Sequence, residues 1–139
     1  MKITDVSILR LAGPYTPPPF PLGDRQSQQL DIYPEFNARN PGTGGASRIE
    51  ALYVEIQTDE GVSGLWGPIQ EFQSVTIART LRPFLLGRDP LATELLYDQM
   101  IRMDRHGRSG YSMPAVSAVD CALWDLKGKA WGQPVYRLS

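Results

Sequence analysis

The apolar spacing of this chain changes once, near Glu71, from about every second residue to every third or fourth. A period of two belongs to a strand with one buried face and a period near 3.6 to an amphipathic helix, so strands are expected first and helices after. Lys2 to Leu11 carries Val6 and Ile8 on one face and Ile3, Leu9 and Leu11 mostly on the other, as a strand buried on both sides would. Arg48 to Thr58 alternates more cleanly, with Leu52, Val54 and Ile56 on one face and Tyr53, Glu55 and Gln57 on the other. Asp59-Glu60-Gly61 supplies a hairpin turn into Val62 to Trp66, which completes a three-stranded antiparallel meander.

Beyond Glu71 the pattern predicts three helices. Ile77, Leu81, Phe84 and Leu85 lie on one stripe of the first, which Pro83 must end or kink. The second is expected to start at Asp89 and Pro90, where the carboxylate can accept from free backbone N–H groups and the proline needs none, with Leu95, Leu96, Met100 and Met103 lining one face. The third should run from near Ser112 and Pro114 to about Trp131. Its Ala115, Ala118, Val119, Ala122 and Leu126 make a small-residue stripe for close packing, Asp125 and Lys129 can pair at i,i+4, and Gly132 then Pro134 stop it. A meander followed by a three-helix bundle is an α+β domain, not a doubly wound parallel sheet.

One interval fits neither period. Between Gly13 and about residue 47, seven prolines (Pro14, Pro17, Pro18, Pro19, Pro21, Pro34, Pro41) accompany Gly23, Gly42 and Gly44, which predicts a long irregular loop. Loops of that length inside a compact domain are functional lids or disordered connections, and the residues alone leave both open.

With 139 residues the chain is one domain or a piece of one, long enough to bury a core without staples. Its 14 Lys+Arg against 15 Asp+Glu leave no basic footprint for a nucleic acid. The lone Cys121 excludes an internal disulfide, and there is neither a charged-then-apolar leader nor an apolar run of the ~18 residues a membrane span needs. The expectation is a soluble cytoplasmic protein with no nucleic-acid or membrane partner.

Little obvious chemistry is written into the residues. A zinc site needs several His or Cys ligands at set spacings, and His106 and Cys121 occur once each. Acidic residues are scattered over positions where solvated faces explain them better than magnesium does. Cys121, inside an alanine-rich helix, reads as a buried inert thiol. No phosphate cradle appears, since the glycines of Gly61 to Gly67 fit a strand leaving a tight turn. Two polar clusters remain. Asp104 to Gly110 brings Arg105, His106 and Arg108 between the second and third helices, where they can bind a carboxylate or simply form a polar turn. The long loop crowds Asp24, Arg25, Gln26, Gln28, Asp31, Tyr33, Glu35, Asn37 and Arg39, a mixture that suits a hydroxyl-rich ligand or a solvated surface equally.

The third helix carries a long pattern, Ala115-Val116-Ser117-Ala118-Val119-Asp120-Cys121-Ala122-Leu123-Trp124-Asp125-Leu126-Lys127-Gly128-Lys129, followed by Gly132-Gln133-Pro134-Val135-Tyr136-Arg137-Leu138. Together with Leu86-Gly87-Arg88-Asp89-Pro90, it resembles the enolase superfamily in its mandelate racemase and muconate lactonizing enzyme branch. The resemblance covers the whole chain as that family's N-terminal capping domain. It implies a following modified TIM barrel that holds magnesium on three acidic ligands and carries a lysine or histidine base for removing the proton next to a carboxylate. That barrel would begin beyond Ser139, so the resemblance implies no catalytic and no metal-binding residue within these 139 residues, and an inactive chain when it stands alone.

The resemblance further implies that the long loop, residues 13–47, is a lid that selects the substrate. Its polar expansion is similar to that of acid-sugar dehydratases such as rhamnonate dehydratase. The substrate-binding candidates are accordingly Arg25, Tyr33, Asn37 and Arg39 in the loop and His106 and Arg108 in the interhelix turn. Asp120 and Asp125 are expected to be structural. The implied partners are a sugar acid or other carboxylate, the chain's own barrel and, for the full-length protein, further copies of itself. A racemase, epimerase or cycloisomerase of the same superfamily is the alternative activity, and a non-catalytic, self-associating orphan domain the alternative role.

Overall fold

The computed structural model describes residues 1–16, 29–37 and 47–138, the side chains of Asn37 and Ser47 excepted. Three strands, β1 (Ile3–Tyr15), β2 (Ser47–Thr58) and β3 (Ser63–Ile69), form one sheet in the order β1-β2-β3. The helical half contains α2 (Glu71–Thr76), a π turn (Ile77–Leu81), α3 (Arg82–Leu85), α4 (Thr93–Arg102) and α5 (Ser112–Trp131). Between β1 and β2 lie a 3₁₀ turn (Gln29–Ile32) and the short α1 (Pro34–Asn37). The order, strands before helices, is the α+β arrangement expected from the change of period.

The chain divides into two compact units, Met1–Leu11 with Ala51–Ser139, and Ala12–Glu50. The interval expected to be wholly irregular therefore contains regular pieces. β1 continues through Gly13 and Pro14 to Tyr15, which an edge strand allows because its outer N–H groups have no ladder partner to lose. Pro34 opens α1, where its missing N–H costs nothing. The candidates Arg25 and Arg39 lie outside the described residues, as does the side chain of Asn37.

In the larger unit, β2 and β3 pair antiparallel, with Glu55 opposite Leu65 and Gln57 opposite Ser63. The turn between them closes on Gly61 at φ 78°, a conformation glycine adopts without steric cost, and Gly61 N–H donates to the Thr58 carbonyl at 3.2 Å. β3 runs further than expected, to Ile69, by absorbing a bulge between the Val54–Trp66 and Leu52–Ile69 pairs. Pro68, which cannot donate to a ladder, sits in that bulge. Trp66 points out of the core and is 47 % exposed.

Val54 and Ile56 of β2 are completely buried, as the alternation requires. β1 meets the expectation of two buried faces only in its first half: Ile3 from one face and Val6 from the other are buried and Ile8 packs on the core, while Leu11 is exposed. Ile3 is held at this end of the strand by the segment after α3, donating to the Arg88 carbonyl at 2.9 Å and accepting from Gly87 N–H at 2.8 Å.

Pro83 neither ends the first helix nor interrupts its packing. The π turn widens the helix just before it, so that Arg82 N–H donates to the carbonyl of Ile77, five residues back, and Pro83 falls at the start of α3. Ile77, Leu81 and Leu85 keep to one buried stripe throughout. The second helix begins later than expected. Asp89 Oδ1 accepts from Leu91 N–H at 3.0 Å, a turn local to Asp89 and Pro90, and α4 starts only at Thr93. The buried face is Thr93, Leu96 and Met100, so Leu95 and Met103, expected on it, are exposed.

Helix α5 matches its expected bounds, and Ala115, Ala118, Val119, Ala122 and Leu126 are buried along it, joined by Val116 and Leu123. Gly132 ends it in the left-handed conformation at φ 61°.

Candidate functional site

The small-residue stripe of α5 lets β3 approach its backbone. A side chain at Gly64 would overlap the Ala122 carbonyl oxygen and stand 2.7 Å from Leu126 Cβ. The free edge of β3 is then capped by charges from the same helix. Asp125 Oδ2 accepts from Leu65 N–H at 2.8 Å and from Lys129 Nζ at 2.6 Å, and Lys129 Nζ donates to the Ser63 carbonyl at 3.2 Å. The expected i,i+4 pair is therefore a seam that satisfies an edge strand and blocks further strand addition. Replacing Asp125 by Ala removes a charged acceptor from Leu65 N–H and is expected to cost about 1 kcal/mol, readable in urea melts.

The interhelix turn is built by its own backbone. Asp104 Oδ1 accepts from His106 N–H at 2.9 Å, Gly107 N–H donates to the Asp104 carbonyl at 3.0 Å, and Ser109 N–H donates to the His106 carbonyl at 3.1 Å. Gly107 is buried where a side chain would meet the Ile101 carbonyl oxygen at 2.5 Å. His106 and Arg108 are consequently held as exposed side chains on a defined turn. Tyr33, half exposed, belongs to the Ala12–Glu50 unit, between the 3₁₀ turn and α1. Of the candidates among the described residues, His106 and Arg108 share this one turn.

A second polar feature lies between α4 and α5. Glu94, Tyr97, Asp120 and Trp124 line a notch of about 170 Å³. Spacings of three and four residues place each pair on one helix face, but the packing of α4 on α5 that joins the pairs is not visible in sequence. Lys127 secures that packing, its Nζ donating to Thr93 Oγ1 at 3.2 Å and lying 4.6 Å from the Trp124 ring centre. Asp120 is half-buried, and no cation among the described residues pairs with it. Burial alone pushes its carboxyl above the usual carboxylate range.

The sign of that shift makes a prediction. A carboxyl whose pKa is raised on folding favours the folded state below its unfolded value of 3.8 and disfavours it once ionised. Asp120→Asn should therefore raise the thermal midpoint at pH 7, and the advantage should shrink as the pH falls toward that value. Cys121 follows similar logic: burial first and the Asp120 charge second push its thiol up, which keeps it protonated and unreactive.

Among the described residues no three His, Cys, Asp or Glu side chains gather to hold a metal ion. Nor is any described helix long and apolar enough to cross a membrane.

The fold and the α5 seam define an α+β domain of strands followed by helices, and comparison with known proteins gives it a family. Residues 41–139 match the N-terminal domain of the mandelate racemase / muconate lactonizing enzyme family, and the chain belongs to that family. Over 90 residues it is 38% identical to a D-galactonate dehydratase of Variovorax paradoxus and 34% identical to one of Xanthomonas campestris, spanning 63% of this chain and 24% of each relative. Among solved structures it resembles the 3,6-anhydro-D-galactonate cycloisomerase of Zobellia galactanivorans, at 28% identity and TM-score 0.64, over 99% of this chain and 31% of that one. A mandelate racemase/muconate lactonizing protein of Paracoccus denitrificans, complexed with magnesium, matches at 26% identity and TM-score 0.62, over 99% of this chain and 30% of that one. The chain thus spans about a quarter of the length of the curated relatives it matches.

Proposed function

We propose that this chain is the substrate-facing N-terminal domain of a magnesium-dependent enzyme that removes the proton next to a carboxylate, and that the reaction is dehydration of a sugar acid. The observation that carries the reading is the 38% identity to a D-galactonate dehydratase. The described residues do not fit a metal site, so in this reading the magnesium and the base belong to a barrel domain outside them.

The chemistry asked of that whole enzyme is demanding, because the α-proton of a carboxylate is too weakly acidic for an ordinary side chain to remove at neutral pH without stabilisation of the charge that develops. The part assigned to this chain is selection. In the loop, Arg25 and Arg39 suit a carboxylate, and Tyr33 and Asn37 suit hydroxyl groups. His106 and Arg108, on an exposed turn, complete the candidates. A cytoplasmic location and a homo-oligomeric full-length protein belong to the same proposal.

A second reading, cycloisomerisation, is favoured by the fold match to the 3,6-anhydro-D-galactonate cycloisomerase. The two are separated by incubating the product of the complete native gene with a panel of sugar acids that includes D-galactonate. Formation of a 2-keto-3-deoxy acid, dependent on magnesium and abolished by EDTA, is expected. Absence of keto acid across the panel, with racemisation or cycloisomerisation of another acid, would overturn the dehydratase reading. The 139-residue chain by itself is expected to turn over none of them.

A further inference from the structure

Helices α4 and α5 carry seven charged side chains, and five of them are engaged within the fold. Asp98 pairs with Arg102 at 2.9 Å, and Asp125 pairs with Lys129 while accepting from Leu65 N–H. Lys127 donates to Thr93 Oγ1, and its Nζ lies 4.6 and 4.9 Å from the ring centres of Trp124 and Trp131. The two that no cation or hydrogen-bond donor among the described residues meets, Glu94 and Asp120, line the same notch with Tyr97 and Trp124. The turn beyond α4 holds Asp104, Arg105 and Arg108, and none of the three lines the notch. Asp120 is half-buried there, and a carboxylate withdrawn from water is as a rule paired.

We propose that this notch is a binding site for one organic cation, a guanidinium or alkylammonium group held by the Glu94 and Asp120 carboxylates and the Tyr97 and Trp124 rings. A hard metal ion is a poor fit, because it takes oxygen ligands and half of the lining is aromatic. An organic cation uses both halves. Its N–H groups donate to the carboxylates, and its flat or methylene surface lies on the rings, whose faces attract positive charge. At about 170 Å³ the notch has room for one such group. The cation is carried either by a free small molecule or by an Arg or Lys side chain of the full-length protein outside these residues, since the chain spans only 24% of a curated relative. The chemistry of recognition is the same in both cases, and only the source differs.

The test is an NMR titration of the 139-residue chain with ethylguanidinium chloride at constant ionic strength, sodium chloride serving as the control salt, and with folding of every variant checked by circular dichroism. The Trp124 indole N–H, identified from Trp124→Phe, is expected to shift saturably with a Kd of about 1 to 10 mM, while the Trp66 indole stays in place. Asp120→Asn and Glu94→Gln should each weaken binding about ten-fold. Asp120→Asn should do so while raising the thermal midpoint of the chain, a combination that a purely structural role does not produce. Binding and melts of the product of the complete native gene separate the two sources. With a free cation as the occupant, ethylguanidinium binds there as before and Asp120→Asn again raises the midpoint. With a side chain of the same protein as the occupant, the probe is blocked and Asp120→Asn lowers the midpoint, the reverse of its effect on the shorter chain. No saturable shift in the 139-residue chain, or binding that neither Asp120→Asn nor Glu94→Gln weakens, would overturn the proposal. Because the readout is binding and not turnover, its failure is distinguishable from failure of the proposed activity.

Discussion

Gly64→Val is expected to cost about 3 kcal/mol or more, a large share of the ~5 to 15 kcal/mol that holds a domain of this kind together. A side chain at that position overlaps the Ala122 carbonyl oxygen, and its nearest neighbours include Leu126 N at 2.9 Å, so a helix backbone and not a flexible side chain must give way. Moving β3 off α5 also stretches the bond from Leu65 N–H to Asp125, so packing and edge capping are lost together. Urea denaturation measures the effect. Gly13→Ala is the control, because nothing lies within 4 Å of a side chain there, and it should stay within about 0.5 kcal/mol of the parent. Equal midpoints for the two variants would show that β3 and α5 do not pack as described.

Leu123→Ala should be comparably damaging, at about 3 kcal/mol. The side chain is wholly inaccessible, and it lies in the stretch of α5 where Ala122 and Leu126 meet β3. It belongs to the buried core, where deleting a large side chain costs its transfer free energy plus that of the cavity left behind. The exposed Leu95, in the first turn of α4, provides the contrast: Leu95→Ala should be nearly neutral for stability. Melts of the two variants in parallel check the assignment of buried and exposed leucines directly.

That contrast also marks what could be read from sequence. The spacing puts Leu95 and Leu96 on one face of α4, and only the packing of that helix separates the buried Leu96 from the exposed Leu95. Asp89 and Pro90 have the chemistry of a helix start, but the carboxylate accepts from Leu91 N–H within a local turn, and the helix begins at Thr93. A capping residue and a turn-forming residue make the same bond type over nearly the same span, so pattern alone places the boundary too early. Pro83 illustrates the converse, since a π turn accommodates a residue that the pattern expects to end or kink the helix. By contrast α5 was legible almost to the residue, because a small-residue stripe, an i,i+4 ion pair and a C-terminal glycine all agree there.

The candidate site was less legible, for a physical reason. Periodicity reports burial, and ligand-facing loops are selected for chemistry and not for a repeating buried face. Arg25, Arg39 and the side chain of Asn37 lie outside the described residues, and Tyr33 and the His106/Arg108 pair belong to separate units. The notch was missed for a different reason. Its four residues come from two helices, and each pair looks like an ordinary solvated face until the helices are packed together.

Proton removal next to a carboxylate, followed by loss of water, is read by proton NMR of the proposed reaction run in D₂O. The sample is the product of the complete native gene with D-galactonate and other sugar acids in the presence of magnesium. Removal of the C2 proton with departure of the C3 hydroxyl leaves an enol, and its conversion to the ketone takes a deuteron from solvent at C3. The expected product is a 2-keto-3-deoxy acid carrying one solvent deuteron at C3, formed only while magnesium is present. Sugar acids that keep their C2 proton and yield no keto acid, or a keto acid formed equally well in EDTA, would contradict it.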